Sequence, residues 1–298
     1  MAEVGSIEGG WTRKASGLVR DFSQLDAWIY NTIALNCVIN IAFLFASIST
    51  TYPHASIPLA VIICAALCTF EAIVYAFFTA IMPRSGGDYV FQSRVLGGSV
   101  AALFAFTAVA LTQVVFMALS AYLGGTLILS PFLLLFGQQY GWHWAITAGN
   151  WFATDNGVFL VSVAIIAWSA FVNIRGMRFY ALVQRYVFWV AMATLGIVVV
   201  TMLLTSHDDF VRNFDTFMQT NYGTKDAYAT VLKNGGPVST SFGWDDTLGA
   251  VVMLTLVLAF PMWGVAQAGE IKRASSLRGN ILSIAGAEIF VAAMIAIL

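Results

Sequence analysis

The chain has 298 residues, of which 59% are hydrophobic and only 10% charged, and its net charge is −1. A soluble domain carries about 25% charged residues, so this composition excludes an ordinary water-soluble fold. The near-neutral balance excludes a nucleic-acid partner.

The amino-terminal segment, residues 1–26, is polar and holds no apolar core of a cleavable signal peptide. Seven apolar runs follow, at about 27–50, 57–82, 97–135, 157–174, 181–205, 247–268 and 279–298. Crossing a hydrocarbon core of about 30 Å takes roughly 20 helical residues. The runs are continuous and do not alternate as barrel strands do. The expected fold is therefore an all-α polytopic membrane protein.

The first run contains NTIALNCVINIAFLF (31–45), with Asn31, Asn36 and Asn40. Asn36 and Asn40 stand four apart and share a helix face. Buried amides need partners. The pair either supports an unwound stretch that faces a ligand or hydrogen-bonds between helices. The second run carries Cys64, Cys68 and Glu71. These two cysteines and Cys37 read as small hydrophobes, not as disulfide or metal ligands.

The connection MPRSGGDYVFQSRVLGG (82–98) has turn chemistry. Pro83 ends the second run, and Gly86-Gly87 opens backbone angles closed to other residues. Asp88 can pair with Arg84 or Arg94. The third run is too long for an upright crossing and is expected to tilt and continue past Pro131. GWHWAITAGNW (141–151) suits an interfacial aromatic belt. Residues 206–246, rich in Asp, read as a solvated cap.

In the sixth run, Pro261 removes a donor and Gly264 frees the backbone, so Phe260-Pro261-Met262-Trp263-Gly264 reads as a helix break or a Pro kink. Glu71 and, in the seventh run, Glu288 are carboxyls within apolar runs. Such groups are functional candidates, either as proton carriers or as neutral structural groups. His54, His143 and His207 are scattered without metal-ligand spacing, and no nucleophile–base arrangement stands out. Neither an enzyme nor a metal site is expected. The chain stops inside the seventh run, as a truncated protein would.

Eleven of the fourteen basic residues fall on one side of these crossings, among them Arg84, Arg94, Arg175, Arg185, Lys272 and Arg278. Only Arg212, Lys225 and Lys233 fall on the other. The positive-inside rule puts the amino terminus in the cytoplasm.

The stretch PRSGGDYVFQSRVLG (83–97) resembles the second-to-third-span loop of the amino acid–polyamine–organocation (APC) permeases. It matches their pattern at Pro83, Arg84, Ser85, Gly86, Gly87, Tyr89, Ser93, Arg94, Leu96 and Gly97. FPMWGVAQAGEIKRA (260–274) is similar to that family's sixth span, and SGLVRDFSQLDAW (16–28) to its approach to the first.

The resemblance implies a LeuT-type fold of two inverted five-helix repeats with broken first and sixth helices. Residues 27–205 would form the first repeat, 206–246 an extracytoplasmic loop and 247–298 the start of the second repeat. It implies a secondary active transporter in the plasma membrane that moves amino acids or related amines by alternating access. No cofactor is expected. The partners would be a small-molecule amino acid or amine and the lipid bilayer.

The substrate would bind between Asn36, Cys37, Val38, Ile39, Asn40 and Phe260, Pro261, Met262, Trp263, Gly264. The coupling ion, proton or sodium, stays open, with Glu71 and Glu288 as candidates. Two departures stand out. The first run lacks the family's Gly-rich break, and the fifth lacks the lysine that some family members carry, holding only Arg185 near its cytoplasmic end. A non-transporting fragment or scaffold with this fold remains an alternative. A seven-helix receptor is opposed by the charge bias and by the lack of a lysine in the seventh run.

Overall fold

The computed structural model describes residues 20–35, 44, 47–234 and 241–297. The described residues form helices and connections, without a strand. The chain runs as α1 (Gln24–Ala34), α2 (Ile57–Ile81), α3 (Gly87–Val95), α4 (Gly98–Tyr140), α5 (His143–Phe152) and α6 (Asp155–Ile174). It continues as α7 (Met177–Leu204), α8 (His207–Tyr222), α9 (Ala227–Asn234), α10 (Trp244–Leu258), a 3-10 segment (Pro261–Glu270) and α11 (Leu277–Ile297).

Among the described residues six stretches are long and apolar enough to cross a membrane: α2, α4, α6, α7, α10 with its 3-10 extension, and α11. They correspond to the second to seventh runs. Of the first run, α1 covers the beginning. Asn36, Cys37, Val38, Ile39 and Asn40 lie outside the described residues.

Local chemistry sets the helix starts. Ser23 and Asp26 form a reciprocal capping box at α1: the Asp26 N–H donates to the Ser23 hydroxyl at 3.1 Å, and the Ser23 N–H to the Asp26 carboxylate at 2.9 Å. Thr154 and Ser206 cap α6 and α8 by accepting from Gly157 and Asp209 N–H groups.

At 43 residues, α4 is about 65 Å long, so it overshoots an upright crossing as expected. It passes Pro131 without a break because that residue sits at the start of an α-helical stretch just after the π-helical turn Gly124–Leu129, where the hydrogen-bond register has already changed.

The main apolar core joins α2, α10 and α11 through residues such as Val61, Leu254, Leu258 and Val291. On α2, Ala60, Cys64, Cys68, Ala72 and Ala76 recur every fourth position, and all are buried. This stripe of small side chains lets neighbouring helices approach closely. It explains Cys64 and Cys68 as the space-savers expected from sequence.

Two connections are more ordered than the sequence suggests. Residues 206–246 include α8 and α9, whose rings Phe210, Phe214 and Tyr228 pack together. The connection at 82–98 includes α3. Here the pairing with an arginine that the sequence leaves open to Asp88 is not made. Among the described residues Asp88 makes no ion pair, and its carboxyl faces Tyr75 of α2 instead. On α3, Arg94 is six residues on, about 240° around the helix, so it points elsewhere.

At the opposite membrane face the α2 and α10 starts are tied together. The His54 N–H donates to Asp246 at 2.9 Å, the Gly243 N–H to the His54 carbonyl at 2.9 Å, and the Ser56 N–H to the Thr247 hydroxyl at 3.1 Å.

Candidate functional site

Helix α10 ends at Leu258, and from Pro261 the backbone winds more tightly for ten residues. Such 3-10 runs rarely exceed three or four residues, and a mid-helix stretch often marks a hinge or a sequence under strain. Pro261 brings no N–H to the winding. Gly264 brings one that leaves it: its N–H donates to the side-chain oxygen of Asn31 at 2.9 Å. The Asn31 amide nitrogen in turn donates to the Ser283 carbonyl of α11 at 2.8 Å. Asn31 is 1% exposed. One amide thus links α1, the 3-10 segment and α11. A Cβ at Gly264 would collide with that amide, so glycine is required by contact.

A cavity of about 290 Å³ lies against this break. It is lined by Tyr30 and Ala34 of α1, Gln113 and Ser120 of α4, Tyr180 of α7, and Trp263 of the 3-10 segment, with Phe260 and other apolar side chains between them. No charged side chain among the described residues lines it. The floor is aromatic: Tyr30 and Tyr180 lie 6.1 Å apart by ring centroid and both contact Phe22. A second cavity of about 210 Å³ is lined by Gly86, Gly87, Asp88, Tyr89 and also by Phe260 and Trp263. The two rings, stacked at 5.9 Å, are shared by both cavities. Neutral polar groups on an apolar wall can orient a small amphipathic ligand, with backbone N–H and C=O groups of the break for its charged ends.

At the basic-rich ends of the spans the 82–98 connection packs against the 3-10 segment. The Gly86 N–H donates to the Ala266 carbonyl at 3.0 Å. Gly87, at φ +48°, sits so near that an added Cβ would lie 3.2 Å from the Ala266 Cα. A Cβ on Gly269 would lie 2.8 Å from the Ser85 nitrogen. The Pro83–Gly87 stretch is therefore a glycine-lined seat for the 3-10 segment. Pro83 and Arg84 lead into it, while Tyr89, Ser93 and Arg94 continue along α3, where the Ser93 hydroxyl donates to the Val90 carbonyl at 3.1 Å.

The chain before α1 is stitched to the chain after the 3-10 segment. The Phe22 N–H donates to the Glu270 carbonyl at 3.1 Å, the Lys272 N–H to the Phe22 carbonyl at 2.7 Å, and the Gln24 amide to the Lys272 carbonyl at 3.1 Å.

Asp26, just before the first apolar run, is fully buried and accepts from both the Nε and Nη2 of Arg185 on α7. Burial pushes its carboxyl up, but hydrogen bonds from Arg185 and Ser23 outweigh this and hold it below the ordinary carboxylate value. Gln184 donates to the Asp26 carbonyl at 2.9 Å, and Arg178 pairs with Asp21 at 3.1 Å.

Of the residues expected at the site, Phe260, Trp263 and Gly264 come together at the break, and Pro261 and Met262 lie within the 3-10 segment. Glu71 and Glu288 lie apart from the cavity, between α2 and α11. Sequence reasoning missed Asn31, Gln113, Tyr30 and Tyr180. Asn31 was visible as the first of three asparagines, but the four-residue spacing of the other two drew the inference away. An amino acid permease family model matches residues 25–295. No curated protein and no solved structure matches the chain.

Proposed function

The chain belongs to the amino acid permease family, and on that premise we propose that it binds one amino acid or related amine in the cavity beside Phe260–Gly264 and carries it across by alternating access. It is an all-helical, multi-pass membrane protein of a transport family. In the proposed reading residues 27–205 form the first inverted repeat of a LeuT-type fold and 247–298 begin the second. The basic-rich side, with residues 1–26, is cytoplasmic, residues 206–246 are extracytoplasmic, and the membrane is the plasma membrane.

The observation that carries the reading is the tether from Asn31 to Gly264, next in sequence to the cavity-lining Tyr30 and Trp263. It occupies one N–H of a tightly wound segment and holds that segment against α1. A zwitterion fits such a place: carboxylate toward N–H groups, ammonium toward carbonyls. The uncharged lining supports a neutral side chain on the substrate.

The test is counterflow of a panel of radiolabelled amino acids and amines into liposomes containing the protein. Exchange of at least one neutral amino acid is expected, with loss in Gly264→Leu at preserved folding. Exchange that survives this substitution unchanged would put the site elsewhere.

A further inference from the structure

We propose that Glu288 is a proton-carrying site, reached from the basic-rich face through Asp88, Tyr75 and Glu71, and that its proton drives transport. The second half of this statement rests on the transporter reading above; the first half does not.

Glu288 lies midway along α11 and is 0% exposed. One carboxyl oxygen lies 3.5 Å from the Thr69 hydroxyl of α2. The other has no hydrogen-bond partner among the described residues. No described basic side chain pairs with it. An ionised carboxylate in such surroundings is strongly disfavoured, so the neutral acid is the form this site holds at rest.

The titratable groups that face Glu288 are Cys64, Cys68 and Glu71, all on α2. Among the described residues α1, α10 and the 3-10 segment bring none. Cys64, Cys68, Glu71 and Tyr75 are spaced by four, three and four residues, which puts them on one stripe of the helix. The Glu71 carboxyl is within electrostatic reach of both Glu288 and Asp88. Tyr75 faces Asp88 at the end of the stripe. From Cys68 to Tyr75 the stripe covers about 10 Å. Asp88, outside the spans, lines the second cavity. Burial pushes its carboxyl up, partly offset by its hydrogen bond with Tyr75, which suits a group that takes up and releases protons.

The transfer balances. Glu288 first gives its proton to water that reaches it, and the O–H bond on Glu71 then breaks as a new one forms on the ionised Glu288. The ionised Glu71 then takes a proton by way of Tyr75 and Asp88, and Asp88 regains one from water. Loss of the proton leaves an anion buried between α2 and α11 with one weak donor. That species favours any arrangement in which the two helices let water reach it, which is how a proton biases a two-state protein.

Infrared spectroscopy of the protein in liposomes reads the proton directly. A protonated-carboxyl band at neutral pH that disappears in Glu288→Gln is expected, and Glu71→Gln should slow its exchange with heavy water. Absence of the band, or its persistence in Glu288→Gln, overturns the proposal. Should Glu288→Gln fail to fold, Glu71→Gln decides it: an unchanged exchange rate rejects the route.

Leucine uptake tests the coupling. An imposed pH gradient should drive accumulation in the wild type, while Glu288→Gln keeps leucine counterflow and loses accumulation. Accumulation that persists in Glu288→Gln overturns the coupling. A wild type that exchanges no amino acid at all rejects the transporter reading instead, and the infrared band still decides the proton site.

Discussion

Asn31 of α1 and Gly264 of the 3-10 segment are joined by one hydrogen bond of 2.9 Å, from the glycine N–H to the asparagine side-chain oxygen. Replacement of Asn31 by leucine takes the side-chain acceptor from that buried N–H and removes a second donor from the Ser283 carbonyl, which keeps its place in the α11 ladder. The loss at the Gly264 N–H costs about 1–3 kcal/mol. Asn31→Asp keeps the acceptor for Gly264 but loses the donor to Ser283. Thermal unfolding in detergent should rank wild type above Asn31→Asp and Asn31→Leu, with substrate affinity falling further in Asn31→Leu. Equal affinity in all three would remove Asn31 from the site.

The Asp26–Arg185 pair should be energetically lopsided. Asp26 is fully buried, whereas the Arg185 side chain is 47% exposed. Arg185→Met strands a buried carboxylate, at about 3–5 kcal/mol. Asp26→Asn leaves a guanidinium that water can reach, so it should cost less. Melting temperatures of the two variants compare them, and the reverse order would contradict the assignment.

The same pair sets a pH dependence. The Asp26 carboxyl is held below its ordinary value of 3.8, so its stabilisation is present above that value and is lost as pH falls through the lower folded value. The melting difference between wild type and Asp26→Asn should stay constant through neutral pH and shrink only in strong acid. A difference that collapses at mildly acidic pH would show that the carboxyl is not held down.

Gly87→Val and Gly269→Ala should impair transport while membrane insertion stays intact. The first forces a β-branched residue into a left-handed backbone and against Ala266, and the second drives a methyl toward the Ser85 backbone. Both separate the Pro83–Gly87 seat from the 3-10 segment. Fluorescence size-exclusion profiles report insertion and counterflow reports transport. Full transport in both variants would mean that the seat has no part in the cycle.

For orientation, Val95, 72% exposed in α3, and the exposed Lys225 between α8 and α9 make a matched pair. Cysteines placed there should react with an impermeant thiol reagent from opposite sides, Lys225→Cys from outside. Reaction of both from one side would reject the topology.

The spans were legible because each is a long run of apolar residues, and length against hydrocarbon thickness is a one-dimensional property. The break in the sixth span was legible too, since Pro261 and Gly264 act on their own backbone. The Asn31 tether was not, because its partners lie 233 and 252 residues along the chain, and no local spacing encodes them. The cavity walls given by Gln113 and Tyr180 were hidden for the same reason. The partner of Asp88 was not legible, because nearby opposite charges allow a pair that the turn of α3 denies by aiming Arg94 away. The seat made by Gly86 and Gly87 shows the limit from the other side. The pattern was recognised, but its glycines serve close approach to another span, and that depends on which segment lies opposite.

Helix α1 and the 3-10 segment are fastened at two heights: by Phe22 and Gln24 against Glu270–Lys272, and by Asn31 against Gly264. From Gln24 to Asn31, along α1, is seven residues, about 10 Å. A single fastening would leave a swivel. Two, set apart along the axis, make a splint. The joined ends share their degrees of freedom, so a push on either is felt by both. Cutting one fastening should therefore be tolerated far better than cutting both, with a penalty for the double cut well beyond the sum of the single ones.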